Sequence, residues 1–592
     1  MIGTTLYQIS SRARSNTARL LALFLFLSLM AHGLFFPQEW IIFSFALSIY
    51  SLLSYSYLRS KFAAGTGTVL GLTDGLLLGM ICFSVLGLVH AVRVKDGLME
   101  ALHWGGFWLV YRSGVRISLD ETAKKRLLDY IEWSAIVVAI IGWLPWVGKV
   151  AGRLSSVFGY PNAMATFLGA VLLLYPQRKS VQMFLGISLL ATGSRAGVGL
   201  FLIVLMSQQL LLCRGKIKGI NIRRLWPIVL GISGAVLALV YNRPAWENLT
   251  AWGFSSSSWQ ERLVYYKDGI SLAWNAGGLP QAGGWLAFPT VQRFPYWTAD
   301  PHSSFIHILL NQGVLGVISV VIWSSITMAQ VWKTRARKCV PSLTTEGFEG
   351  TKAEVRVYGA LLFLVLHSLV DADFSFGALG ILFWMLFGSF QKRDKYPRPL
   401  FLKWNKFAVN LNRKGMLFLS LILCLFSGSA LLKPTLLERE TIWNTQARLE
   451  CTQDPAQSIA LWNLSLNWDQ TQLSTRREQA EFLLMLGNTD SGLKAVEEVL
   501  RWQPLDLEVY EWAQSVVWDA AEVQRRTHPE SSNRLYLWVG SVPETIEGRA
   551  DRLSLSDQSL WQGYREFQVS QHVKLLAEYA RQRQLTQPLP RT

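Results

Sequence analysis

Apolar stretches long enough to cross about 30 Å of hydrocarbon recur along residues 20–433, and this recurrence constrains the chain more than any other feature. They fall near 20–36, 39–57, 68–91, 98–111, 131–147, 162–175, 180–193, 197–213, 225–241, 303–331, 357–371, 376–390 and 415–432. The pattern predicts an all-α, polytopic membrane region of about 12–13 transmembrane helices over residues 1–433. The first run follows Arg12, Arg14 and Arg19 as a secretory signal would. No small-residue cleavage site comes after it, so it reads as a retained anchor. With 16% charged residues the chain falls well below the usual quarter for soluble proteins, which argues against a soluble multidomain enzyme. Its 25 Trp suit a protein with many membrane–water interfaces.

The net charge of +17 would suit a nucleic-acid partner if it were spread evenly, and it is not. Residues 434–592 carry 16 Lys and Arg against 22 Asp and Glu, whereas residues 1–433 carry 41 against 18. The apolar part is the basic part, as expected of a membrane protein rather than a nucleic-acid binder. With a cytoplasmic N-terminus, most Lys and Arg collect in the inner loops, among them the clusters at 112–126, 214–224, 333–356 and 392–414. That orientation places four segments outside: the 148–161 loop, the 193–196 turn, the long 242–302 loop and everything after 433. The five cysteines form no CxxC pair, and only Cys451 falls in the large soluble region, so no disulfide is expected there.

The tail, 434–592, reads as a soluble α-helical domain punctuated by Pro455, Gly487-Asn488, Pro504 and Pro529. Asn467-Trp468-Asp469 with Leu473 recurs further on as Arg501-Trp502-Gln503 with Leu507. The offset resembles that of tetratricopeptide repeats, and a generic helical bundle is the plain alternative. Either would serve as a docking surface for a protein partner rather than as a catalyst.

Soluble-enzyme signatures are missing: there is no P-loop, GxGxxG, HExxH or GxSxG, and the eight His show no metal-ligand spacing. Asp371-Ala-Asp373 has the DxD form of metal-dependent glycosyltransferases, but reads better as a polar turn joining two spans. Arg195, in Thr192-Gly193-Ser194-Arg195, lies on the outer side, where positive-inside statistics disfavour it. It is either a side chain snorkelling to headgroups or a guanidinium clamp for phosphate oxygens. Arg262 lies near the start of a helical stretch that opens in 255–262 and runs to about 274. A helix N-terminus favours anions, so Arg262 either helps hold a phosphate or pairs with Glu261 or Asp268. His302, in Asp300-Pro301-His302-Ser303, stands where the outer loop re-enters the membrane; it is either structural or, because imidazole titrates near neutral pH, a proton acceptor. Two outward cations and one base suit transfer from a lipid-linked phosphate or pyrophosphate to a hydroxyl.

At these residues the chain resembles the O-antigen ligase family, bacterial membrane glycosyltransferases that include O-antigen polymerases and O-oligosaccharyltransferases. The resemblance rests on His302-Ser303 followed by Gly313 and Gly316, on Phe158-Gly159-Tyr160-Pro161-Asn162-Ala163 and on Ala191 to Gly197. It extends to Arg262 with Gly283-Gly284 and to the stretch from His367 to Phe376, and covers roughly residues 130–390. It implies a GT-C-like helical bundle with a large outer loop, in the bacterial cytoplasmic membrane, with the tail outside. Arg195 and Arg262 would bind an undecaprenyl-pyrophosphate-linked oligosaccharide. His302 would deprotonate a glycan, lipid or protein hydroxyl in an inverting transfer that needs no metal or other cofactor. The alternatives from other classes are a lipid or polysaccharide transporter and an envelope scaffold with a docking tail.

Overall fold

A computed structural model describes residues 2–61, 71–118, 120–147, 149–174, 178–213, 257–337, 345–391, 402–553 and 567–585. The expected span at 225–241 and the basic cluster at 214–224 lie outside these residues. The described chain is all-α apart from one antiparallel pair of two-residue strands, β1 (Lys149–Val150) and β2 (Arg153–Leu154). The first region comprises α1 (Ile2–Met30), α2 (Pro37–Lys61), α3 (Leu72–Leu86), α4 (Val94–Ile117), α5 (Glu121–Trp143), α6 (Pro161–Leu173), α7 (Lys179–Ala191) and α8 (Arg195–Cys213). It continues with α9 (Ser257–Asn275), α10 (Ser304–Arg337), α11 (Thr345–Ser368), α12 (Gly377–Phe390) and α13 (Leu402–Leu432). Among the described residues, three stretches are long and apolar enough to cross a membrane, Leu72–His90, Ser304–Ala329 and Lys414–Leu432; Pro161–Leu173, Lys179–Ala191 and Gly377–Phe390 are shorter apolar helices.

The core is organised around α4 and α12. Every residue of α12 is buried, and α4 lies against it with a backbone approach that only glycine permits. A Cβ on Gly388 would stand 2.4 Å from the Tyr111 carbonyl oxygen, and one on Gly114 2.9 Å from that of Met385. Small residues at such crossings let helix backbones close together. This packing explains why the sequence of α4 is mixed. Arg112, which reads as the start of a cytoplasmic cluster, is buried in α4; its Nη1 lies 3.2 Å from Asp74 Oδ2 of α3, while Trp108 Nε1 donates to Asp74 Oδ1 at 2.8 Å. A buried charge is tolerated because its partner is buried with it.

α10 is broken at Gly313, whose backbone is left-handed in φ (φ 69°, ψ −173°). The loop after α9 fills the break: Val314 N donates to Gly278 O at 3.0 Å, and Gln281 N donates to Leu310 O at 2.9 Å. A Cβ at residue 313 would meet Gly278 O at 2.7 Å, so both φ and space require glycine.

The tail consists of α14 (Arg439–Glu450), α15 (Pro455–Trp468), α16 (Leu473–Met485), α17 (Thr489–Trp502), α18 (Leu507–Gln524), α19 (Pro529–Ala550) and α20 (Gln571–Leu585). Successive helices pair α14 with α15, α16 with α17 and α18 with α19. The first helices of these pairs start at Arg439, Leu473 and Leu507, evenly spaced and at the same offset as the Trp468 and Trp502 repeat. The punctuation is structural: Pro455 and Pro529 occupy first turns, where a missing N–H costs nothing, and Gly487 takes φ +77° in the α16–α17 turn. Cys451 is a free thiol.

The tail is packed onto the first region. Gln470 N donates to Val92 O at 2.8 Å, Gln470 Nε2 donates to Ala91 O at 2.8 Å, and Lys95 Nζ lies 3.0 Å from Glu438. Trp502, at the end of α17, is buried in a hydrophobic cluster with Val92 and with Tyr265, Trp285 and Phe288 of the 257–303 segment, and Arg476 covers its ring at 5.0 Å. Truncating a buried Trp costs about 3–5 kcal/mol. We expect Trp502→Ala to loosen this seam, read as faster hydrogen exchange of the Gln470 amide while amides inside α18 and α19 stay protected. Unchanged exchange at Gln470 would show that Trp502 does not hold the tail in place.

Candidate functional site

His302 lies in the loop that leads into α10, with φ +53°, a conformation costly for a residue bearing a Cβ. Neighbours hold it there. Its N–H donates to Asp300 Oδ1 at 2.9 Å, its carbonyl accepts from Tyr266 Oη at 3.1 Å, and its ring stacks near Tyr265 with centroids 5.9 Å apart. Ser303 caps α10, its Oγ accepting from Ile306 N at 3.4 Å. Asp300 Oδ2 accepts from Ser375 Oγ at 2.8 Å, and Ser304 N donates to Asp371 O at 3.3 Å, which ties this loop to the α11–α12 turn.

Asp371 is the hub of the site. It sits in that turn and is fully buried. Oδ1 accepts from Tyr160 Oη at 2.8 Å and from Ala372 N at 2.8 Å; Oδ2 accepts from Asn162 Nδ2 at 2.6 Å and from Arg262 Nη2 at 3.0 Å. His302 Nδ1 is buried without a hydrogen bond, 3.8 Å from Asp371 Oδ1, while Nε2 lies 3.4 Å from Thr298 Oγ1. If Nδ1 carries the proton and faces the carboxylate, Nε2 is the basic nitrogen, the tautomer logic of an acid-oriented histidine. The separation from Asp371 is too long for a hydrogen bond, and catalytic contacts of this kind often tighten only with substrate bound.

Three arginines gather around this hub. Arg262 pairs with neither Glu261 nor Asp268: its Nη1 donates to Val370 O at 2.7 Å and its Nη2 to Asp371, while Asp268 binds Arg293 and Tyr296. Burial works against the Arg262 charge, but Asp371, then Tyr160 and Tyr266, outweigh it and hold the guanidinium above its ordinary pKa. Arg153, on β2, is the second. Its Nε donates to Thr192 O at 2.8 Å and its Nη2 to Asn162 Oδ1 at 2.9 Å. Burial lowers the pKa of Arg153, and the nearby charges of Arg195 and Arg262 push the same way, against Tyr160 and Asp371. Arg195 is the third, the first residue of α8, directly after Ser194, whose Oγ accepts from Gly197 N at 3.2 Å and so caps that helix. The Tyr160 phenol, buried beside Asp371, is raised well above its usual range, so it stays a neutral donor.

Arg195, Arg262 and His302, singled out from sequence, therefore belong to one neighbourhood built from β2, the α7–α8 turn, α9 and the α10 entry. Sequence reasoning did not single out Arg153, Tyr160, Asn162 or Asp371 as site residues. A signal existed for three of them, since Tyr160, Asn162 and Asp371 fall inside stretches that carry the family resemblance. Arg153 had none, because a lone Arg in a loop has no distinguishing spacing. Asp373 does not join Asp371: it binds His367 Nδ1 at 2.7 Å and Thr166 Oγ1 at 2.8 Å, so the DxD pair faces two separate networks. His307 lies deeper, 3.5 Å from Glu100 and 3.8 Å from Asp300.

No protein-family model matches the chain, and a search of the curated proteins finds no matching relative. The class of protein therefore has to be argued from the site.

Proposed function

We propose that the chain is a multi-pass glycosyltransferase of the O-antigen ligase type, in the bacterial cytoplasmic membrane. It would transfer or polymerise an undecaprenyl-pyrophosphate-linked glycan onto a hydroxyl at the outer face. One observation carries this reading: Arg153, Arg195 and Arg262 converge with His302 on the surroundings of a single buried carboxylate. Guanidinium forks match phosphate oxygens in geometry, and a departing pyrophosphate needs charge stabilisation as the bond to the sugar breaks. His302 Nε2 would take the proton of the acceptor hydroxyl as its oxygen attacks the anomeric carbon. Asp371 would stabilise the imidazolium that forms. Both electrons of the cleaved bond leave with the pyrophosphate, between the arginines.

The topology favours the same reading. Segments that meet at this end of the bundle, 149–161, 193–195, 257–302 and the start of the tail, are ones that a cytoplasmic N-terminus and alternating spans place outside. The evenly spaced helix pairs support a tetratricopeptide-like reading of 434–592, an extracytoplasmic module with one face already committed to the outer loop.

Arg195→Lys tests the clamp. It keeps the charge but loses the fork, so turnover with a labelled undecaprenyl-pyrophosphate oligosaccharide is expected to fall about 10-fold or more, the equivalent of about 1.4 kcal/mol of transition-state stabilisation. Wild-type turnover by the Lys variant would remove Arg195 from the clamp.

A further inference from the structure

α9 carries three faces, and only two of them are accounted for. At about 100° per residue, Arg262, Tyr266 and Gly269 point towards the His302 loop and the α11–α12 turn, where Arg262 and Tyr266 make the bonds described above and Gly269 abuts Ile306. Val264, Tyr265, Asp268 and Leu272 are buried against the outer-loop core of Trp285, Phe288 and Tyr296. The remaining face is Leu263, Lys267, Ile270 and Trp274, spaced i, i+4, i+7 and i+11 along one stripe. Its three apolar members are 41%, 55% and 84% exposed.

An exposed Leu, Ile and Trp in one line is not what a water-facing helix carries, and its surroundings say what it meets. The chain leaving α9 runs through exposed Leu279 into the break of α10, where Gly278 O accepts from Val314 N at 3.0 Å. From Val314 onward α10 exposes Val314, Leu315, Ile318 and Ile322, the outward face of a stretch apolar enough to span a membrane. The stripe thus continues, through a direct backbone contact, into the surface that lipid would cover. Trp and Lys are residues that tolerate the headgroup zone, Trp by its amphipathic ring and Lys by snorkelling.

We propose that the Leu263–Lys267–Ile270–Trp274 stripe, with Leu279, is seated in the outer surface of the lipid bilayer as an interfacial helix. Such helices bury their apolar side about 5–10 Å into the boundary between headgroups and acyl chains. The Arg262–Tyr266 face lies next to the stripe on the helix, so this seating holds Arg262 at headgroup level, the depth at which the phosphates of a membrane lipid lie. The proposal takes from the preceding section only that α10 crosses a membrane; it does not depend on the transfer chemistry.

Spin-label depth measurement tests it. Single-cysteine variants Ile270→Cys, Trp274→Cys, Ile322→Cys and Leu537→Cys would be made in the full chain with its five native cysteines replaced. Each would be labelled and reconstituted into phosphatidylethanolamine–phosphatidylglycerol vesicles. The readout is accessibility to oxygen, which concentrates in lipid, against a nickel chelate, which stays in water. The label at 322 is expected to be lipid-like and that at 537, on the tail, water-like. Those at 270 and 274 should be shifted to the lipid side, but shallower than 322. Water-like labels at 270 and 274 beside a lipid-like 322 would overturn this proposal alone. Low accessibility to both reagents at 270 and 274, the mark of a surface covered by protein, would overturn it equally. A water-like 322 would overturn the membrane-spanning reading of α10 and this proposal with it.

Discussion

His302→Ala is expected to lower glycan transfer from a lipid-linked pyrophosphate donor by about 10²–10⁴-fold, the usual contribution of a positioned general base, while the protein remains folded. The side chain can be lost at modest structural cost: its ring is partly exposed, stacks near Tyr265 and approaches Thr298 and Asp371 only at 3.4 and 3.8 Å, while its backbone carries the bonds to Asp300 and Tyr266. Removing the ring also relieves a buried, unbonded Nδ1. The measurement is release of the carrier pyrophosphate and product length in bilayer discs, with and without acceptor. A product ladder that needs His302 identifies a polymerase, and a single discrete adduct identifies a ligase. Wild-type turnover by the Ala variant would end the base assignment, and substrate flux across vesicles without any glycan product would favour a transporter.

Substitutions of Asp371 should produce the largest effect on stability. Asp371→Ala leaves Arg262 in place with one carbonyl contact, strips the Tyr160 hydroxyl of its acceptor, and leaves the Asn162 amide only the Tyr160 oxygen to donate to. Breaking a buried charge pair from one side costs about 3–5 kcal/mol, so the Ala variant should unfold at a clearly lower temperature than wild type. Asp371→Asn separates the two roles of this residue. It keeps the shape and one acceptor oxygen, so much of the fold survives, but it cannot stabilise the imidazolium. Its kcat should drop with little change in KM for the donor. An Asn variant with wild-type kcat would reduce Asp371 to a structural residue.

How much of this was legible beforehand differs between elements for a physical reason. Apolar runs and turn residues are local signals: the run at 376–390 became α12, and Pro455, Gly487 and Pro529 fall at helix ends in the tail. The Trp468 and Trp502 repeat marked the ends of α15 and α17. Gly313 was visible as a motif residue, but its reason was not, because the carbonyl that excludes a side chain belongs to Gly278, far away along the chain.

The apolar run read at 98–111 and the start of the basic cluster at 112–126 are one helix, α4, whose Arg112 is buried and paired with Asp74 on α3 instead of facing a loop. No periodicity reports such a pairing. The same holds for Asp371, whose partners Tyr160 and Arg262 stand 211 and 109 residues away along the chain.

By itself, the sequence determined that this chain builds helices, where most of them end, and that its basic apolar part differs from its acidic tail. Those properties follow from hydropathy and backbone preference over a few turns. Only the tertiary structure decided that Arg153 joins the other two arginines, that Asp371 binds Arg262 and faces His302, and that Trp502 packs the tail onto the 257–303 segment. Such convergence depends on which helix faces pack together, a free energy summed over contacts distant in sequence.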